Sequence, residues 1–312
     1  MPAIVTILMG RYVAIREGTA PRMTRLAILA DIHANLPALE AVRRDLEHER
    51  VDRVIVAGDS INWGPSSAEV VDIIQDEDWT VIRGNNEFYL LDYDTPRAPD
   101  GWHSLDFASL RWLREQLAGE RHALVATWPD TLSLRFPDAP ALRVIHGSPR
   151  SHWEAMHREE PAEKLAARLA GVEESFVIAG HTHLAMDRTA ASWRIFNPGS
   201  VGLPLEGVPG AEYMLLDGDT TGWTPAWRRV AYDASPLFEA FEHSRLVERA
   251  GPVGELMVEE FRTNRLHVHA FVVWRNRHYP GQPFTPELLA EFRQADRWEY
   301  TEREYHVNRD AG

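Results

Sequence analysis

An α/β fold with a second sheet packed on the first is predicted for this chain. Three observations predict it: short Val- and Ile-rich runs alternate with amphipathic stretches from residue 26 to about 230, chemically active residues stand where those runs end, and the runs crowd together after residue 142. Short apolar runs bounded by polar residues read as buried strands. Strand and helix in alternation build a largely parallel sheet, with ligands gathered beyond the carboxyl ends of its strands. The closer spacing after residue 142 calls for a second sheet rather than one continuous parallel one.

In order, the strand runs are 26–30, 54–57, 80–82, 142–145, 176–179, 193–196, 213–216 and 227–231. Between the first two, Leu36, Leu39, Val42 and Leu46 recur at helical spacing with Pro37 in the first turn, which predicts a helix. Residues 88–105, with Tyr89, Tyr93, Pro96, Pro99, Trp102 and His103, read as an aromatic and proline-rich loop and a candidate pocket wall. In the tail, Met257, Phe261, Val268 and Val272 predict one helix, and Thr285 with Pro286 opens another. The expected division is an N-terminal extension over 1–23, poorly ordered and with Met23 as the natural start, a core domain over 24–232, and a mainly helical extension over 233–312. That last segment carries no chemical motif and is expected to pack on the core or on a second copy of the chain in a homo-oligomer.

At 312 residues the chain can bury a core without disulfides or a structural metal. It has no cysteine, which excludes disulfides, cysteine nucleophiles and thiolate zinc sites. The formal net charge is -14, and Lys164 is the one lysine among 33 Lys and Arg residues, so there is no basic footprint for a long nucleic acid. No apolar run approaches the roughly 20 residues of a membrane span, and the opening residues lack the marks of a signal peptide. The expected compartment is the cytoplasm.

Five motifs follow the strand runs: Asp31-Ile32-His33-Ala34-Asn35, Gly58-Asp59, Gly84-Asn85-Asn86-Glu87, His146-Gly147-Ser148-Pro149 and Gly180-His181-Thr182-His183. Asp31 and His33 are expected in an extended segment leaving a strand, with both side chains on one side to grip one ion, and His181 and His183 likewise. Gly58 lets the backbone turn closely beneath a metal, and Asp59 has two oxygens with which to bridge two ions. Asn85 offers a neutral amide oxygen and His146 a further imidazole. These seven donors fill two sites if one carboxylate bridges and water completes each shell. Oxygen and imidazole donors without sulfur suit Mn first, then Fe, Zn or Ni, and suit Ca or Mg less well. Two such ions roughly 3.5 to 4 Å apart acidify a water and hold phosphate oxygens, which points to phosphoester hydrolysis. Taken singly, Asp31 or Asp59 reads as a turn or cap residue and His146 as a packed histidine; the order and context of all five favour the metal site.

These residues resemble the calcineurin-like metallophosphoesterase superfamily, and most closely its small bacterial phosphodiesterase branch. Asn197-Pro198-Gly199-Ser200-Val201-Gly202 also looks like that branch, and the resemblance covers residues 25 to about 230. It implies a four-layer α-β-β-α sandwich of two mixed sheets flanked by helices. It also implies one metal held by Asp31, His33, Asp59 and His183, and a second held by Asp59, Asn85, His146 and His181. The Asn-Pro-Gly-Ser stretch would be mainly structural. The implied activity is phosphodiester hydrolysis of a small or nucleotide-type substrate by a metal-bridging hydroxide, with a phosphomonoesterase or phosphoprotein phosphatase, or a non-catalytic scaffold, as alternatives.

One departure matters. Many members carry a leaving-group acid, His, where this chain has Asn86, and an amide delivers no proton at neutral pH. General-acid help worth about 10²- to 10⁴-fold would then come from elsewhere or be missing, which favours aryl or cyclic diesters. His103, His152 and His157 are the candidates to restore it. Arg83 and Arg150, each beside a motif, are candidate phosphate contacts.

Overall fold

Side chains alternate across β1 (Thr24–Leu29): Leu26 and Ile28 join one buried cluster, Ala27 and Leu29 another. A strand's two-residue period makes this split, so β1 is covered on both faces, by helices on one and a second sheet on the other. The computed structural model describes residues 23–308. The extension expected over 1–23 therefore lies, up to residue 22, outside the described residues.

The first sheet joins β1 to β2 (Arg53–Val56) and β3 (Thr80–Val81) in parallel. The second holds β4 (Leu132–Leu134), β5 (Leu142–Ile145), β6 (Phe176–Ala179), β7 (Met186–Ala190) and β8 (Trp193–Asn197) in the order β4-β5-β6-β8-β7. The chain then returns to the first sheet with β9 (Ala211–Asp219), antiparallel to β1, and β10 (Gly222–Val230) at its edge. Leu26, Ile28, Ile55, Met214 and Leu216 of one sheet meet Leu142, Val144, Ile178 and Phe196 of the other in a dry layer.

Against the outer face of the first sheet lie α1 (Leu36–Leu46), α2 (Ser67–Asp76), α3 (Asn85–Asp92), α4 (Ala108–Gln116) and α5 (Glu120–Thr127), through Leu39, Val42, Val70, Ile74, Leu90, Leu113 and Val125. Around α6 (Ala162–Arg168), Leu165 and Leu169 cover Val177, Ala179 and Ile195 of the second sheet. This is the expected four-layer sandwich. Pro37 stands in the first turn of α1, as the sequence predicts, and Asn35 caps the helix by accepting from Ala38 N.

Three expectations change. The strands β4 and β7 were not anticipated; both sit at edges of the second sheet, and exposed Asp187 and Thr189 thin the apolar signal of β7. Residues 88–92 belong to α3 rather than to a loop. The single tail helix drawn through Met257, Phe261, Val268 and Val272 is two helices.

The extension holds α7 (Ser235–Ser244), α8 (Leu246–Ala250), α9 (Pro252–Thr263), α10 (Val268–His278) and α11 (Pro286–Phe292), the last capped by Thr285 as expected. Asn264 ends α9 in the left-handed region at φ 52°, where a short polar side chain is tolerated best, and the chain turns before α10. Leu237, Phe241 and Leu246 join the main core, whereas Leu256, Met257, Phe271, Trp274, Leu289 and Phe292 form a smaller core of their own. Buried Glu260 couples the two. It accepts from Trp63 Nε1 (2.5 Å) in the loop after β2, and from the N–H groups of His267 and Val268 at the start of α10.

Candidate metal centre

The four strands β1, β2, β5 and β6 end at one edge, and their following loops carry Asp31 and His33, Asp59, His146, and His181 and His183; Asn85 opens α3 just after β3. All but His181 are buried. The local conformation differs from the expected extended segments. Asp31, His33, Asp59, His181 and His183 all take positive φ, between 48° and 73°. Each such non-glycine residue costs about 1 kcal/mol, a strain that persists only where neighbours over-determine it. Here the neighbours are interlocked loops: Asp31 N donates to Gly58 O, His33 N to Asp59 O, Ala34 N to Ser60 O, Gly180 N to His146 O, and Gly202 N to Asp31 O.

Two donor groups result, Asp31 with His33 and His183, and Asp59 with His146 and His181; within each, the ligand atoms lie within 4.8 Å of one another. Asp59 reaches both, with Oδ1 3.3 Å from His146 Nε2 and Oδ2 3.7 Å from His33 Nε2. Asn85 Oδ1 stands 3.0 Å from His146 Nε2. Gly58 holds φ 91°, and a side chain on it would meet His146 Nδ1; one on Gly84 would meet Asp59 Oδ1.

The imidazoles are set up as ligands. His183 Nδ1 donates to Leu203 O (2.6 Å) and His146 Nδ1 to Ala57 O (2.9 Å), which turns each Nε2 inward. Burial first, and then the neighbouring His183, push His33 down to about 3; burial and His146 push His181 down to about 3; burial pushes His183 down to about 4. All three are neutral at neutral pH. His146 is the exception, held up at about 9 because Asp59 and Asp31 outweigh its burial. Burial raises Asp31, whereas the imidazole neighbours of Asp59, His146 foremost, overcome burial and hold it below the usual carboxylate range.

These residues fit divalent cations. His33 Nε2 and His183 Nε2 face each other at 3.0 Å, with Asp31 Oδ1 3.6 Å from the latter, and buried His33 Nδ1 has no hydrogen-bond partner among the described residues. Convergent nitrogen and carboxylate lone pairs in a buried site are costly unless a cation satisfies them.

Glu87, which sequence reasoning quoted but gave no role, holds the Asp59 loop in place. Its buried carboxylate accepts from the N–H groups of Asp59, Ser60, Ile61 and Gly84. Asn86 holds Asp59 directly: its N–H donates to Oδ1 (2.8 Å) and its Nδ2 to Oδ2 (2.5 Å), while its own Oδ1 accepts from Asn62 Nδ2. Both amide groups are thereby engaged.

A cleft of about 450 Å³ opens over the donors, lined by Trp63, Tyr89, Trp153, Leu203 and Leu205 and, from the C-terminal extension, by Glu260, Leu266, His269, Glu302 and Tyr305; His157 also lines it. The extension thus supplies chemical groups that the sequence reading did not assign to it. Other candidates fall outside the cleft. Exposed His103 packs edge-on against Tyr93. His152 stacks on Phe88, and burial pushes it down to about 4, so it holds no proton at neutral pH. Arg83 pairs with Asp130 and Arg150 with Glu154.

A family model described as the calcineurin-like phosphoesterase superfamily domain matches residues 24–221. Phosphodiesterase YfcE of Escherichia coli is 26% identical over 204 residues, covering 63% of this chain and 89% of that protein. Among solved structures, a metallophosphoesterase from Sphaerobacter thermophilus superposes with a TM-score of 0.57 at 24% identity, over 73% of this chain and 98% of that one. A protein from Pyrococcus horikoshii gives 0.63 at 22% identity, over 73% and 96%. These two likenesses speak to the fold.

Proposed function

The chain belongs to the calcineurin-like phosphoesterase superfamily, and we propose that it hydrolyses small phosphodiesters with two divalent metal ions. The observation that carries this reading is the pair of convergent donor groups sharing Asp59 beneath one cleft. Asp31, His33, His183 and Asp59 would hold one ion, and Asp59, Asn85, His146 and His181 the other. The donor set suits Mn²⁺, with Fe, Zn or Ni as substitutes. When bound, the ions supply an acidified water and positive charge against the phosphate oxygens.

The protein's own groups do the rest. Ala57 O and Leu203 O fix the imidazole tautomers, Asn86 and Glu87 hold Asp59, and the cleft walls position the ester. Diesters are favoured by charge. Among the described residues no Arg or Lys lines the cleft, and its two imidazoles beyond the candidate metal donors, His157 and His269, are each matched by a glutamate. A phosphomonoester brings a second negative charge for which the described lining, beyond the two ions, offers no Arg or Lys partner, a disadvantage on the order of 1 kcal/mol, about tenfold in rate. Trp63, Tyr89 and Trp153 offer apolar faces to an aryl or nucleoside substituent, in line with the phosphodiesterase name carried by YfcE.

The test uses protein stripped of metal and refilled with Mn²⁺, given a bis-aryl phosphodiester and the matching aryl phosphomonoester. Diester turnover faster by about tenfold or more is expected. Faster monoester turnover would replace this reading with a phosphatase, and no turnover of either by a protein with both metals bound would favour a scaffold.

A further inference from the structure

The cleft holds an imidazole that the metal donors leave unused. His157 lines it, and its Nδ1 is bonded to Glu304, a buried carboxylate in the 3-10 turn Arg303–His306 of the C-terminal extension. Glu304 also accepts from Glu159 N, and its backbone carbonyl accepts from Arg158, so the turn is pinned to the segment that carries His157. Tyr305, next in the chain, donates to Thr182 O inside the metal-binding loop. The extension is thus fastened at one point to the metal loop and at the adjacent residue to His157. Asn86 stands where the superfamily's leaving-group acid is expected, and its amide is engaged with Asp59 and Asn62.

Resting on the phosphodiesterase reading, we propose that His157, oriented by Glu304 from the C-terminal extension, is the proton donor to the leaving oxygen. As the oxygen of water forms its bond to phosphorus, the bond to the leaving oxygen breaks and its electron pair takes the proton from His157 Nε2. The neutral imidazole then regains a proton, equivalent to the one released by the attacking water, and the products are a phosphomonoester and an alcohol. Glu304 holds the ring by Nδ1, which makes Nε2 the transferring atom.

The charged groups around His157 agree with this assignment. Its hydrogen bond to Glu304 raises its pKa above 6.5 against burial, with Glu302 and Glu160 adding to the rise. The imidazoles of His181 and His269 each feel its charge, and Arg158, next to it in the chain, is paired with Glu206. A raised pKa favours the protonated donor, and its contribution is lost as pH climbs through the raised value.

The experiment compares the full-length, metal-loaded chain with His157→Asn and Glu304→Gln on a series of aryl methyl phosphodiesters, from nitrophenyl to methoxyphenyl. A proton donor matters more as the leaving oxygen becomes more basic. The loss in His157→Asn is expected to grow from a few-fold for nitrophenyl to about 100-fold for methoxyphenyl, with a smaller gradient in Glu304→Gln. A separate readout is imidazole NMR of His157, whose titration should move to lower pH in Glu304→Gln, with or without metal. Equal losses along the series, or an unmoved titration, would overturn the donor role while leaving the diesterase reading intact. A wild-type chain that turns over no diester would instead sink that reading, and the donor role with it.

Discussion

Asp59→Asn is expected to lower diester turnover by about 10³-fold, equivalent to about 4 kcal/mol of transition-state stabilisation, and to reduce bound metal from two ions per chain to one or fewer. Asp59 is the residue whose two oxygens face both donor groups, Oδ1 towards His146 and Oδ2 towards His33. Asparagine keeps the shape and one oxygen but removes the charge, and its NH₂ would oppose Asn86 Nδ2, which now donates to Oδ2. The fold should persist, because the loop's remaining bonds run through backbone groups and Glu87. Metal analysis beside diester kinetics checks this. Retention of two ions with turnover within tenfold of wild type would contradict the bridging role.

The second large effect concerns stability. Replacing Glu87 by Leu removes the acceptor of four buried N–H groups. Unsatisfied buried donors cost about 1 to 3 kcal/mol each and are not additive, so a net loss of about 4 kcal/mol is expected in the metal-loaded chain, together with weaker metal binding. Thermal denaturation and metal content measure both. The wild-type group also carries a pH dependence when metal is removed. Burial, and then the charge of Asp59, push its carboxyl up from 4.5 to about 7. A carboxyl raised above its unfolded value contributes stability below about 4.5 and loses it as pH rises through about 7, so Glu87 should make the metal-free fold weaker on that climb. Bound cations offset the Asp59 charge and should flatten the dependence.

The candidate metal donors were legible because each follows an apolar run, and a run's end is fixed by the same burial that places the strand. Two sheets were legible from the crowding of runs after residue 142, and α1 from its spacing and Pro37. Edge strands were harder: β7 exposes Asp187 and Thr189 to solvent, so half its alternation is absent from an apolar pattern. Positive φ at Asp31, His33, His181 and His183 was invisible because nothing local demands it; the interlocking loops impose it. The Glu87 clamp left a readable trace, since a glutamate at the third position of a helix is placed to accept from the N-cap N–H, and Glu87 accepts from Gly84 N at the start of α3. The extension's share of the cleft left none. His269, Glu302 and Tyr305 lie far along the chain from the motifs, and contacts such as Glu260 with Trp63, Tyr305 with Thr182 and Glu304 with His157 bring them there.

The most direct measurement is diester turnover followed while metal-free protein is titrated with Mn²⁺, with bound metal counted at each step. Two ions sharing Asp59 predict turnover that stays low after the first equivalent, rises with the second and then levels. Full turnover at one equivalent, or turnover indifferent to added metal, would contradict the dinuclear account.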